Sequence, residues 1–189
     1  MFLRPMMGKV KEAVFSTLTA FGLYDTTCRH LDVFAGSGNV GLESLSRGAT
    51  ECVFVDLSPD CCACIERNLE VTRLEPGSVV MGDALSVLKN GVGDGKTFHV
   101  ITICPPYEEV VYGDLLDAVV GSSLVMEDTV LVLEYPIELL GDIPHVVSAG
   151  EHTAVGVRNR RYGRTVIAMY LIDPTGKLEA ESRPEEFVP

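Results

Sequence analysis

Two rhythms of apolar positions run along this chain, a helical one and a series of short unbroken runs. Val10, Val14, Leu18 and Phe21 recur at spacings of four, four and three, and predict a helix over 9–21. The run LDVF at 31–34 predicts a strand. It breaks at Gly36, Gly38 and Gly41, after which Val40, Leu42 and Leu45 resume at helical spacing to about Arg47, with Gly48 as the stop. A second strand, 52–56, leads into a helix over 59–72, with Ser58 as N-cap and Pro59 at its first position. Strands over 78–81, 98–103 and 130–134 alternate with helices over 84–88 and 110–120, and GVGDG at 91–95 marks a surface loop. Residues 136–140 predict a short helical turn. Residues 153–158 and 165–171 predict a hairpin with its tip at 159–163.

Strands alternating with helices imply an α/β fold with a doubly wound, mostly parallel sheet, here of seven strands, the last two an antiparallel hairpin. One domain is expected over 1–173. Beyond Asp173 the apolar pattern is lost, and 174–189 is expected to be an acidic, disordered tail.

Ligands of such sheets bind at the carboxyl ends of the strands, where Asp32, Gly36, Asp56, Asp83 and Cys104 all map. Glycines permit positive φ and close approach to a ligand, and the helix that follows aims free N–H groups at the same point. Asp56 lies twenty positions beyond Gly36, where a carboxylate can accept both ribose hydroxyls of an adenosine-containing cofactor. That spacing fits a dinucleotide or S-adenosylmethionine equally. Asp32 beside the turn suits a cationic amino group better than a pyrophosphate. Asp83 reads either as a contact to the cofactor or as the N-cap of the helix it precedes.

Composition narrows the choice of partners. The chain has 189 residues and a formal charge of −12, of which the segment from Leu178 supplies three with four Glu against Arg183. Indiscriminate nucleic-acid binding relies on many Lys and Arg contacts to phosphate, so any RNA contact must be local. The candidates are Arg4, Lys9 and Lys11 near the start and Arg158, Arg160, Arg161 and Arg164 in one short segment. The longest apolar runs, such as TVLVL at 129–133, fall well short of a membrane span, and no secretory signal is present, so a soluble protein is expected. Cys28, Cys52, Cys61, Cys62, Cys64 and Cys104 read as free thiols. Cys61 and Cys64 form a single C-x-x-C without further ligands, so no metal is expected.

Taken together, RP at 4–5, VKEAVF at 10–15, DVFAGSG at 32–38, GLESLSRGA at 41–49, PPY at 105–107 and YG at 162–163 resemble, in order, the bacterial family that methylates the N2 amino group of a guanine in small-subunit ribosomal RNA (RsmD-like). The resemblance runs from about Leu3 to about Leu171. It implies a Rossmann-like class I S-adenosylmethionine-dependent methyltransferase. Its cofactor site would comprise Asp32, Phe34, Ala35, Gly36, Ser37, Gly38, Asp56, Leu57, Asp83 and Ala84. Its reactive loop would be Cys104, Pro105, Pro106 and Tyr107: Pro105 offers its carbonyl to the target amine, Pro106 stiffens the loop, and Tyr107 stacks on guanine. The partner implied is small-subunit ribosomal RNA or the assembling subunit, and a monomer is expected.

Two departures stand against the family pattern. Relatives carry Asp or Asn at position 104, whereas a thiol is a weak acceptor. Ahead of Arg4 stand only three residues, where the family usually has a basic segment. Three activities therefore stay open: guanine-N2 transfer, amino transfer to another target such as adenine N6, and a degenerate cofactor- or ribosome-binding assembly factor. A chloroplast stroma location, with bacterial cytoplasm as the alternative, is the expectation for the compartment.

Overall fold

The structure, a computed structural model, describes residues 6–93, 95–108 and 110–188. Five parallel strands, β1 (Arg29–Val33), β2 (Glu51–Asp56), β3 (Gly77–Met81), β4 (Val100–Ile103) and β5 (Val130–Pro136), form one half of a single sheet. Three antiparallel strands complete it: β6 (Val146–Ala149), β7 (His152–Tyr162) and β8 (Thr165–Ile172). The spatial order is β3-β2-β1-β4-β5-β8-β7-β6. The chain winds outward from β1 to β3, then returns to the other side of β1 with β4. The crevice of a doubly wound sheet opens at that reversal, so the carboxyl ends of β1 and β4 set the site.

Helices cover both faces. On one, α1 (Gly8–Ala20) buries Val10, Val14, Phe15 and Leu18 against Val100, Val130, Val132, Ile167 and Met169, while α2 (Asn39–Ser46) and α3 (Pro59–Thr72) pack Leu45 and Ile65 over Cys52 and Phe54. On the other, α4 (Ala84–Asn90) and α5 (Tyr112–Val120) cover Leu31, Val33, Ile101, Leu131 and Leu133. β5 and β8 are buried along almost their whole length, as strands covered on both faces must be.

Gly41 lies where α2 crosses β2. A Cβ there would stand 2.3 Å from Cε1 of Phe54 and 2.6 Å from Sγ of Cys52, both fully buried. Alanine favours helix over glycine by up to about 1 kcal/mol, whereas overpacking a rigid core costs about 1–3 kcal/mol. Gly41→Ala is therefore expected to lower stability by about 2 kcal/mol in urea denaturation, and a stability equal to or above that of the parent would refute this packing.

Three expectations from sequence are corrected. The sheet has eight strands, since Val146–Ala149 adds an edge strand to β7. The hairpin is longer than predicted, with β7 running to Tyr162, so Arg158, Asn159, Arg160 and Arg161 lie on a strand and the turn is Gly163 and Arg164. The segment expected to be a disordered tail folds back: Pro184–Glu186 forms a 3-10 turn, and Phe187 packs against His145 and Tyr170. Gly156 makes this docking possible, because a Cβ there would stand 2.4 Å from the Phe187 ring.

Candidate functional site

β1 ends in a turn that reverses the chain sharply into α2. Phe34, Gly36 and Gly38 all take positive φ, of 61°, 57° and 78°. Ala35 N–H donates to the Val55 carbonyl at 3.0 Å, and Gly38 N–H closes the turn on the Ala35 carbonyl at 2.8 Å. The Ser37 carbonyl accepts from Asn68 Nδ2 of α3 at 2.9 Å. The turn is thus tied to β2 and to α3 as well as to its own strand.

Asp56, at the carboxyl end of β2, is the hub of that arrangement. Its Oδ2 accepts from Gly36 N–H at 2.8 Å and its Oδ1 from Ser58 N–H at 2.9 Å. The Cys61 thiol also hydrogen-bonds this carboxylate, which with about four lone-pair sites keeps capacity for a hydroxyl of a ligand. Leu57 beside it is 65% exposed. Met81, paired with Asp56 across β2 and β3, is similarly exposed.

Asp32 departs from its expected role. It is buried, and both carboxylate oxygens serve the protein: Oδ2 accepts from Gly41 N–H at 2.9 Å and Oδ1 from Thr102 Oγ1 at 2.7 Å. It holds the turn to α2 and β4 rather than facing an amino group directly. Burial pushes its pKa up to about 7, with the Thr102 and Gly41 hydrogen bonds opposing and the Asp56 charge adding. His30 Nε2 lies 3.0 Å from Thr102 Oγ1, and burial drives the His30 pKa down to about 3, so the ring is neutral. Asp83 is exposed and caps α4, accepting from both Ser86 N–H and Ser86 Oγ at 2.9 Å, while Ala84 is buried at the start of that helix.

The reactive loop leaves β4 next to the glycine turn. Val33 and Ile103 are in register, and Cys104 N–H donates to the Val33 carbonyl at 3.4 Å. Pro105 is buried, Pro106 exposed, and Tyr107 half-buried. The Tyr107 hydroxyl donates to Glu134 Oε1 at 2.9 Å and lies 2.8 Å from Thr165 Oγ1. Cys104 also meets Glu134: burial pushes its thiol well above the ordinary value, and the Glu134 charge, the Asp32 charge and a hydrogen bond to Glu134 push the same way. A protonated thiol beside a carboxylate is a donor, not an acceptor.

Glu134, Thr102 and Thr165 were not singled out from sequence. The signal was present for Glu134: a lone carboxylate closes the apolar run VLVLE at the same sheet edge as Asp32, Asp56 and Cys104.

The expected cationic set divides. Lys11 is bound internally, to Asn39 Oδ1 at 2.8 Å and Glu43 Oε2 at 3.1 Å, and Arg160 pairs with Glu186 at 3.1 Å. Arg158 lies over the Phe21 ring and donates to the Val157 carbonyl. Lys9, Arg161 and Arg164 are exposed, although Arg164 also reaches Glu138 at 2.6 Å. Thr165, which follows Arg164, lies opposite Pro136 and touches Tyr107, so the hairpin turn adjoins the reactive loop. Arg4 lies outside the described residues. Among the described residues no group of three or more His, Cys, Asp or Glu is placed to hold a metal ion, none of the six cysteines forms a disulfide, and no helix is long and apolar enough to cross a membrane.

A family model described as "Conserved hypothetical protein 95" matches residues 1–171. YlbH of Bacillus subtilis, named for an inferred rRNA methyltransferase activity, is 33% identical over 168 residues, 88% of this chain and 86% of that protein. The Escherichia coli protein named ribosomal RNA small subunit methyltransferase D is 26% identical over 136 residues, 72% of this chain and 66% of its own length. Among solved structures, a hypothetical protein from Thermus thermophilus superposes with a TM-score of 0.72 at 29% identity, covering 88% of this chain and 86% of that one. The Escherichia coli protein yhhF gives 0.73 at 21% identity over 92% and 89%, a likeness of fold.

Proposed function

The chain belongs to the conserved hypothetical protein 95 family, the RsmD-like family of the sequence resemblance, and from that premise we propose that it is an S-adenosylmethionine-dependent methyltransferase acting on the N2 amino group of a guanine in small-subunit ribosomal RNA. The observation that carries this reading is the adjacency of the glycine turn and the Pro105-Pro106-Tyr107 loop at the β1/β4 reversal. The names of the Bacillus subtilis and Escherichia coli relatives support the rRNA target.

The residues fit the cofactor. The turn takes positive φ at Gly36 and Gly38, Asp56 offers a carboxylate to ribose hydroxyls, and Leu57, Asp83 and Ala84 are the residues that the resemblance implies for the adenine. When bound, S-adenosylmethionine supplies a methyl group on a sulfonium. The chain's own task is to align the amine behind that carbon and to exclude water. Pro105 offers a carbonyl to an amine N–H. Its neighbour Pro106 fixes the loop, and Tyr107, its hydroxyl held by Glu134 and Thr165, presents its ring to a base taken out of its helix. Of the candidate cations, Lys9, Arg161 and Arg164 are exposed and can meet phosphate, Arg164 on leaving Glu138.

The competing reading is a cofactor-binding assembly factor without transferase activity, favoured by Cys104 in the acceptor position. Methyl transfer from labelled S-adenosylmethionine to undermethylated small subunits and to naked RNA, followed by nucleoside analysis, separates the two. Label in N2-methylguanosine is the expected result. Label in N6-methyladenosine would keep the chemistry and change the target, and absence of label despite measured cofactor binding would favour the assembly factor.

A further inference from the structure

We propose that Glu134, on the neighbouring strand, is the proton acceptor for the target amine, taking over what Cys104 cannot do. The assignment rests on the methyltransferase reading above. A second acceptor is needed beside the Pro105 carbonyl, because the amine lone pair becomes available only when its N–H bonds point at acceptors. Cys104 at the end of β4 has no such capacity. Glu134 follows Leu133, the β5 partner of Ile103 on β4, and its carboxylate meets the side chains on both flanks of the prolines: the thiol of Cys104 and the hydroxyl of Tyr107 at 2.9 Å. The carboxylate has moved one strand over while serving the same loop.

Its surroundings suit the task. Glu134 is only 7% exposed, so water competes poorly for it. Its contacts to Cys104 and Tyr107 are both donors. The Tyr107 hydroxyl has a second partner in Thr165 Oγ1 at 2.8 Å, so it stays anchored when the carboxylate turns to an amine. Asp32 is committed to Gly41 and Thr102, and Asp56 stands on the cofactor side, holding the glycine turn at Gly36. In the transfer, the amine nitrogen forms the new N–C bond with its lone pair, the electrons of the breaking C–S bond stay on sulfur, and the amine proton passes to Glu134 and then to solvent.

Three proteins test this: the parent, Glu134→Leu and the double variant Glu134→Leu with Cys104→Asp. Glu134→Leu is expected to lower kcat about 100-fold, the usual scale for a positioned base, with calorimetric affinity for S-adenosylmethionine unchanged. The double variant is expected to recover at least tenfold over Glu134→Leu. Independently of turnover, Cys104 alkylation followed by peptide mass spectrometry is expected to shift to lower pH in Glu134→Leu, since the carboxylate holds the thiol protonated. Glu134→Leu within threefold of the parent, or no recovery in the double variant, would each overturn the assignment, the latter by leaving only a structural role. A parent that transfers no methyl to any RNA would overturn the methyltransferase reading itself, and this assignment with it.

Discussion

Asp56→Ala is expected to weaken S-adenosylmethionine binding roughly 100-fold in calorimetry while lowering stability by only about 1 kcal/mol. The two effects separate because the carboxylate acts differently in the free and bound states. In the free protein, Gly36 N–H and Ser58 N–H donate to it at 2.8 and 2.9 Å, but Asp56 is half-buried and water can replace it. In the bound state water is displaced, the turn must hold its shape against the ligand, and the ribose hydroxyls lose a charged acceptor. Hydrogen bonds to charged groups contribute about 1.5–3 kcal/mol each, so losing one to two of them gives roughly the stated factor. Asp56→Asn keeps one acceptor oxygen and is expected to cost about tenfold, roughly half the free energy. An affinity unchanged in both variants would remove Asp56 from the cofactor site.

The parts of the fold legible from sequence were those with local causes. The parallel strands β2, β4 and β5 announce themselves as apolar runs because both faces are covered, and Ser58 and Pro59 start α3 where a cap and an N1 proline belong. What escaped has distant causes. Val146–Ala149 is a four-residue edge strand with alternating exposure, too short to stand out from a loop. Arg160 and Arg161 look like a polar tip, yet β8 pairs with them through Ile167 and Val166. The acidic tail carries no periodic pattern. It is held by Phe187 against Tyr170 and by Glu186 accepting from Asn159 N–H at 2.9 Å, partners that no local reading supplies.

The site divides along the same line. Glycines and the proline pair are visible in sequence because backbone geometry demands those residue types. The roles of the carboxylates are not, because each is decided by a partner far along the chain. Asp32 is claimed by Thr102, seventy positions later, and Cys104 is answered by Glu134 thirty positions later. A carboxylate at a strand end can be located from sequence; which donors occupy it can be read only from the folded chain.

The position of Asp32 makes stability depend on pH in a direction opposite to that of most carboxylates. Its folded pKa is raised from 3.8 to about 7, chiefly by burial. Between those values the folded state keeps a proton that the unfolded chain has released, so stability falls as pH rises. The contribution is full below the unfolded pKa and lost as pH passes through about 7. A shift of about three units corresponds to roughly 4 kcal/mol. Glu43, Asp83 and Asp173 are held below their ordinary values and act in the other sense, their contribution being lost as pH falls. They are common to the parent and to Asp32→Asn, so a comparison of the two isolates Asp32. The groups that bear on its charge, Asp56, Cys52 and Cys104, are likewise retained. Urea denaturation of both proteins from pH 4 to pH 8 is expected to show the parent losing about 4 kcal/mol relative to Asp32→Asn across that range. Curves that run parallel would mean that Asp32 ionises normally, and that the hydrogen bonds from Gly41 and Thr102 repay its burial in full.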